Sequence, residues 1–132
     1  MKRVRSGGKP PRYVDHLIEN WAEHPGKFAD EAVEAYRRAF EEPSVVRASC
    51  EDYRAGLSVD LDHDRASREA GERIDAPLLA LWGTASGTVS FDPLAVWERW
   101  ATDVRGRELD CGHFVMEEAP GASLTELRTF LS

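Results

Sequence analysis

With 132 residues, 42% of them hydrophobic and 31% charged, the chain has the make-up of one ordinary globular domain with a single core. Its formal net charge of −7 opposes attraction to polyphosphate, and the only basic cluster is Met1-Lys2-Arg3-Val4-Arg5, so nucleic acid is excluded as a partner. That basic start runs into Ser6-Gly7-Gly8-Lys9-Pro10-Pro11 and no apolar run approaches membrane-spanning length, so neither a secretory signal nor a membrane partner is expected and the location is read as cytoplasmic.

Residues 1–10 read as a flexible start. From Pro11 an amphipathic helix is expected, with Tyr13, Leu17 and Trp21 at helical spacing, broken by His24-Pro25-Gly26. Asp30 is placed to cap a second helix whose apolar stripe runs through Ala32, Val33, Ala35, Tyr36, Ala39 and Phe40 to a stop at Pro43. Ser44 is read as the cap of a third, on which Val46, Cys50 and Tyr53 share one face, so that Tyr53 points inward. Asp60 to Gly71 reads as a solvated helix. Cys50 and Cys111 have neither metal-ligand spacing nor the density of a disulfide scaffold, and both are expected to be buried as small apolar residues in a reducing compartment.

The pattern changes after Asp75-Ala76-Pro77. Leu78-Leu79-Ala80-Leu81-Trp82 is continuously apolar and ends on Gly83, as a parallel strand buried on both faces would. Asp92-Pro93 supplies an N-cap and a first helical residue for a helix over roughly 92–101, and a second strand is expected over 107–111. A strand, helix, strand order calls for a right-handed crossover with parallel strands over 77–82 and 107–111. A last helix carries Leu124, Leu127, Phe130 and Leu131.

In Gly112-His113-Phe114, His113 falls just past the carboxyl end of the second strand, where open α/β sheets place their chemistry. Imidazole suits a general base because its neutral form is present near physiological pH. No nucleophile accompanies it: Gly-x-Ser-x-Gly and its Asp and Cys equivalents are absent, and in Gly83-Thr84-Ala85-Ser86-Gly87 the serine is off-centre for a nucleophile elbow. Asp92, followed by proline, reads as a helix cap, not as a triad acid. Asp60, Asp62 and Asp64 imitate a calcium loop but meet Arg65 where its glycine belongs and Gly71 where its bidentate Glu belongs, and His16, His24 and His63 share no ligand spacing, so no metal and no cofactor is expected.

Three stretches, Glu34-Ala35-Tyr36-Arg37-Arg38-Ala39-Phe40, Cys50-Glu51-Asp52-Tyr53-Arg54-Ala55-Gly56 with Asp60-Leu61-Asp62-His63-Asp64, and Leu79-Ala80-Leu81-Trp82-Gly83 leading to Gly112-His113-Phe114, carry a resemblance. The chain resembles the carboxy-terminal half of an α/β-hydrolase of the haloacetate (fluoroacetate) dehalogenase type. The resemblance implies a truncated α/β-hydrolase fold: a helical cap remnant over 11–74, then over 75–132 the last two parallel strands of the core with their helices. It further implies an Asp nucleophile that displaces halide to form an ester, and a His that activates the hydrolytic water. Within this sequence His113 matches that catalytic base and Tyr53 matches the cap tyrosine on the halide side. The nucleophile, the substrate-clamping arginines and the triad acid of the sixth strand match nothing here.

Three readings stay open at this point. In the first, the chain is the rear part of a dehalogenase-like hydrolase acting on a small haloacid or ester and is inactive alone. In the second, it is a non-catalytic binding module or a half-enzyme complemented by a separate amino-terminal half. In the third, it is a small hydrolase using His113 with an unrecognised nucleophile. The unpaired edge of the Leu78–Trp82 strand leads to an expectation of self-association, a complementing half, or loose packing.

Overall fold

The computed structural model describes residues 13–86 and 90–132. The expected flexible start therefore lies outside the described residues. Helix α1 (Tyr13–Trp21) buries Val14 and Ile18 and ends before a single 3-10 turn at Pro25–Lys27, where the His-Pro-Gly sequence withdraws a donor and fixes φ. Val14, Ile18 and Phe28 form a small apolar core against which Ala22, Val33, Phe40 and Phe114 pack.

Helix α2 (Asp30–Ala39) and helix α3 (Pro43–Gly56) follow, then α4 (Val59–Glu69). Their caps differ from the sequence expectation. Asp30 is the first helical residue and Ala29 the cap, and Pro43 opens α3 behind Glu42, which leaves Ser44 inside the helix. A proline is tolerated at that first position because its missing N–H has no intrahelical partner there. None of these three helices contains a fully buried residue. Tyr53, expected to point inward, is 58% exposed, and Cys50 is exposed as well, whereas Cys111 is fully buried as expected. The face that Val46, Cys50 and Tyr53 share looks into an open groove shared with Tyr13 and Phe40, not into a closed core.

After Gly71, whose φ of 70° suits a residue without Cβ, the chain enters β1 (Leu78–Gly83), then α5 (Pro93–Trp97) and β2 (Val104–Leu109). β1 and β2 pair in parallel from Leu78 opposite Val104 to Gly83 opposite Leu109. Asp92 caps α5 as its sequence predicts, its carboxylate accepting from the Leu94 and Ala95 amides at 3.0 and 3.2 Å. β2 starts three residues earlier than expected and is mostly exposed, because the charged Arg105, Arg107 and Glu108 fall on both of its faces and mask the strand pattern. β1 is not buried on both faces. Only Ala80 and Gly83 are buried in it, and a groove of about 510 Å³ runs along the strand, bordered by Phe91, Pro93 and Trp97. Two carboxy-terminal helices, α6 (Val115–Glu118) and α7 (Pro120–Leu131), complete the fold. α7 turns its small Ser123 inward and leaves Leu124 and Leu131 exposed. No described helix is long and apolar enough to cross a membrane.

Candidate active site

Three chain segments meet at the carboxyl ends of the two strands. The loop after β1 is stitched to the end of β2, with the Thr84 amide donating to the Leu109 carbonyl and the Ala85 amide to that of Cys111, at 2.9 and 3.0 Å. The end of α1 joins from the other side, the Trp21 carbonyl accepting from the His113 amide at 2.9 Å. Two glycines make this closeness feasible. A methyl on Gly83 would run into the carbonyl oxygens of Gly112 and Cys111, and one on Gly112 would run into the Glu23 amide and the Trp21 carbonyl.

His113 stands at this junction with its imidazole exposed. The ring meets the Trp21 indole edge-on, centroids 4.9 Å apart at 75°, and stands at 90° to Phe114 at 5.2 Å. These aromatic contacts favour this edge-on placement of the ring without consuming either nitrogen. Trp21, Ala22, Glu23, Asn20, Ala85 and Ser86 share with it a cavity of about 380 Å³, a volume suited to a small organic molecule. Among the described residues, no side chain hydrogen-bonds the His113 imidazole. Asp92 does not serve it, its carboxylate being engaged in capping α5.

Beneath the histidine lies a carboxylate that sequence reasoning passed over. Glu118 is 1% exposed. Its Oε2 accepts from the Glu23, His24 and Gly112 amides at 2.9, 2.9 and 3.1 Å, and its Oε1 from the Phe114 amide at 3.1 Å. Burial alone pushes a carboxyl pKa up, but the four backbone donors outweigh it and hold Glu118 below the ordinary carboxylate range. The same burial raises the pKa of the adjacent Cys111 thiol, with the Glu118 charge adding to the effect, which leaves that sulfur a poor nucleophile.

Tyr53 sits elsewhere. It lines a mostly apolar groove of about 450 Å³ with Tyr13, Phe40, Val46 and Cys50, and with Arg37, which is paired to Asp15 at 2.6 Å. Tyr13 belongs to that groove and Trp21 to the His113 cavity, and eight residues of helix put those two positions about 12 Å apart along α1. The two residues singled out in the sequence therefore occupy separate cavities at opposite ends of one helix. Burial, and then the neighbouring Tyr53, raise the Tyr13 pKa, so that phenol stays protonated and able to donate.

Comparison with known proteins adds to this geometry. Over 128 residues the chain is 30% identical to a fluoroacetate dehalogenase from a Burkholderia species, a match covering 96% of this chain and 41% of the relative. A candidate α/β-hydrolase from a Nostoc species superposes with a TM-score of 0.78 at 33% identity, covering 94% of this chain and 46% of that one. The chain carries the carboxy-terminal half of an α/β-hydrolase fold. A mutant of a candidate epoxide hydrolase from Pseudomonas aeruginosa, solved with bound MFA, matches this chain with a TM-score of 0.81 and 39% identity, over 89% of this chain and 40% of that one. No family model matches the chain. It spans 41% of the length of the curated dehalogenase relative.

Within this half, the parallel pair, the capped α5 and the turn bearing His113 stand in the order read from the sequence, while Glu118 had no visible signal. In Val115-Met116-Glu117-Glu118 two adjacent glutamates look like a solvated helix start, and only the fold shows that they differ. Glu117 reaches outward to accept from the Tyr36 hydroxyl, and Glu118 turns in.

Proposed function

We propose that these 132 residues supply the general-base side of a hydrolase acting through an enzyme-bound ester, with His113 as the base, and that a small haloacid is its substrate. The observation that carries this reading is the His113 imidazole, exposed at the carboxyl end of a parallel pair, ringed by Trp21 and Phe114 and opening on a cavity of small-molecule size. The likeness to fluoroacetate dehalogenase supports the substrate class.

In this scheme a carboxylate oxygen from outside these residues attacks the halogen-bearing carbon, a carbon–oxygen bond forms, and halide leaves with the electron pair. His113 then removes a proton from a water whose oxygen attacks the ester carbonyl, and returns that proton to the departing alkoxide, which frees the hydroxyacid and the carboxylate. Tyr53, exposed on α3, takes the halide side as a phenolic donor to the leaving group. Its groove is distinct from the His113 cavity, so this role rests on the local resemblance of Glu51-Asp52-Tyr53-Arg54-Ala55-Gly56.

The sequence has no recognisable nucleophile motif, and a base alone accounts for only about 10²–10⁴ of an enzyme's rate, so the 132 residues by themselves are expected not to turn over haloacids or esters. An epoxide is the second reading, favoured by the 39% identity to the candidate epoxide hydrolase. Its ring oxygen would take the place of the halide.

The test is a fusion in which the front part of the Burkholderia fluoroacetate dehalogenase precedes this chain. Fluoride release from fluoroacetate and ring opening of a small epoxide are followed side by side. Turnover of fluoroacetate by the fusion and none by the chain alone is expected. Epoxide turnover without fluoride release would shift the reading to the epoxide, and turnover by the isolated chain that disappears in His113→Ala would replace it with a self-sufficient hydrolase.

A further inference from the structure

We infer that Glu118 is the positioning residue of His113, a buried carboxylate that clamps the histidine turn to the end of α1 so that the imidazole is aimed into the cavity shared with Trp21. This rests on the proposed base role of His113 and extends it to a residue that touches neither substrate nor nucleophile.

The geometry is specific. Glu118 binds the amides on both sides of the histidine, Gly112 at 3.1 Å and Phe114 at 3.1 Å, and leaves out the His113 amide, which the Trp21 carbonyl accepts at 2.9 Å. Its Oε2 also takes the Glu23 and His24 amides at 2.9 Å, just beyond Trp21. The ring that touches His113 and the turn that carries His113 are thus joined through one side chain. Among the described residues, no Lys or Arg pairs with Glu118, so its charge is balanced by backbone donors alone, an arrangement that depends on all four being aimed at once. Glutamine at 118 would keep the size but present an –NH2 where one oxygen now accepts, facing backbone N–H groups with no lone pair to offer.

The imidazole reports the effect directly. In nuclear magnetic resonance spectra of the full chain, the His113 ring protons should be displaced by the ring currents of Trp21 and Phe114 and show cross-relaxation to the Trp21 indole. In Glu118→Gln these signals should move toward the values of a free histidine and the cross-relaxation should vanish, while the Ala101 and Leu109 methyls of the sheet region stay in place. A structural role confined to the backbone would move the Gly112, Phe114, Glu23 and His24 amides and leave the ring signals where they were, and that result would overturn the inference.

If Glu118→Gln does not fold, the wild type decides. The Glu118 carboxyl carbon and the His113 ring are followed together as pH is lowered through the carboxylate range. A step in the ring signals at the Glu118 midpoint supports the clamp, and a flat ring response there contradicts it. In the fusion with a dehalogenase front half, Glu118→Gln should lower kcat about tenfold or more with little change in KM, since the base is displaced and the substrate contacts are not. The ring signals test the clamp even if that fusion proves inactive toward haloacids, so the two proposals can fail separately.

Discussion

The region around His113 and the α2–α4 helices are held by different means. Near the histidine, Cys111, Glu118 and Ser123 are almost fully buried, two glycines let backbones touch, and loop carbonyls and amides bond across three segments. In α2, α3 and α4 no residue is fully buried, and Tyr53, Val59 and Leu61, with Leu57 between α3 and α4, are all exposed. α4 keeps a looser hold on the sheet region, through the Arg68 guanidinium stacked 5.6 Å from the Trp100 ring. A site half fixed by internal bonds has its geometry within these residues. A half that presents apolar side chains to solvent takes its geometry from whatever those side chains meet. The base and the tyrosine of the proposed reaction fall on opposite sides of that divide.

The largest expected effect comes from filling the tightest backbone contact. Gly83→Ala should destabilise the chain by about 3 kcal/mol or more, since the clashing atoms are carbonyls that cannot swing aside. Urea unfolding measures it, and a loss under ~1 kcal/mol would mean that the junction is slack and the contrast unfounded.

Glu118→Ala comes next. It strands four amide donors that are wholly or partly buried, for which a loss of about 3 kcal/mol is expected. Because the folded-state pKa of Glu118 is depressed, its contribution is present above the unfolded value of about 4.3 and is lost as pH falls through the lower folded value. The gap between wild type and Glu118→Gln should accordingly narrow below about pH 4. A gap that widened with acid would show that the carboxyl is bound in its protonated form.

Ser123→Ala should cost about 1 kcal/mol, because the buried hydroxyl donates to the Ala119 carbonyl at 2.8 Å. Smallest of all, Leu57→Ala on the helical side should stay within about 0.5 kcal/mol, since Leu57 is 82% exposed. A large loss there would break the comparison by showing that the α3–α4 side chains are covered in solution.

What the sequence disclosed follows the same divide. The unbroken apolar run of β1, the Asp92-Pro93 cap and the Gly112-His113 turn are local signals, each legible from a few adjacent residues, and the parallel pairing followed from connection rules. The start of β2 is hidden because charged residues on both of its faces erase the alternation, and the exposure of Tyr53 is hidden because helical spacing shows which residues share a face and not what that face meets. Glu118 was illegible for another reason. Its four donors come from segments up to 95 positions away, and no local pattern in an acidic helix start separates a buried carboxylate from a solvated one.

The central claim is that His113 serves as the water-activating base. It is tested most directly by the intact mass of the fusion protein carrying His113→Ala after mixing with fluoroacetate. An increase matching one bound carboxymethyl group that persists without turnover is the predicted result, since the ester forms but no base hydrolyses it. A His113→Ala fusion that releases product at the parent rate and shows no added mass would contradict the account.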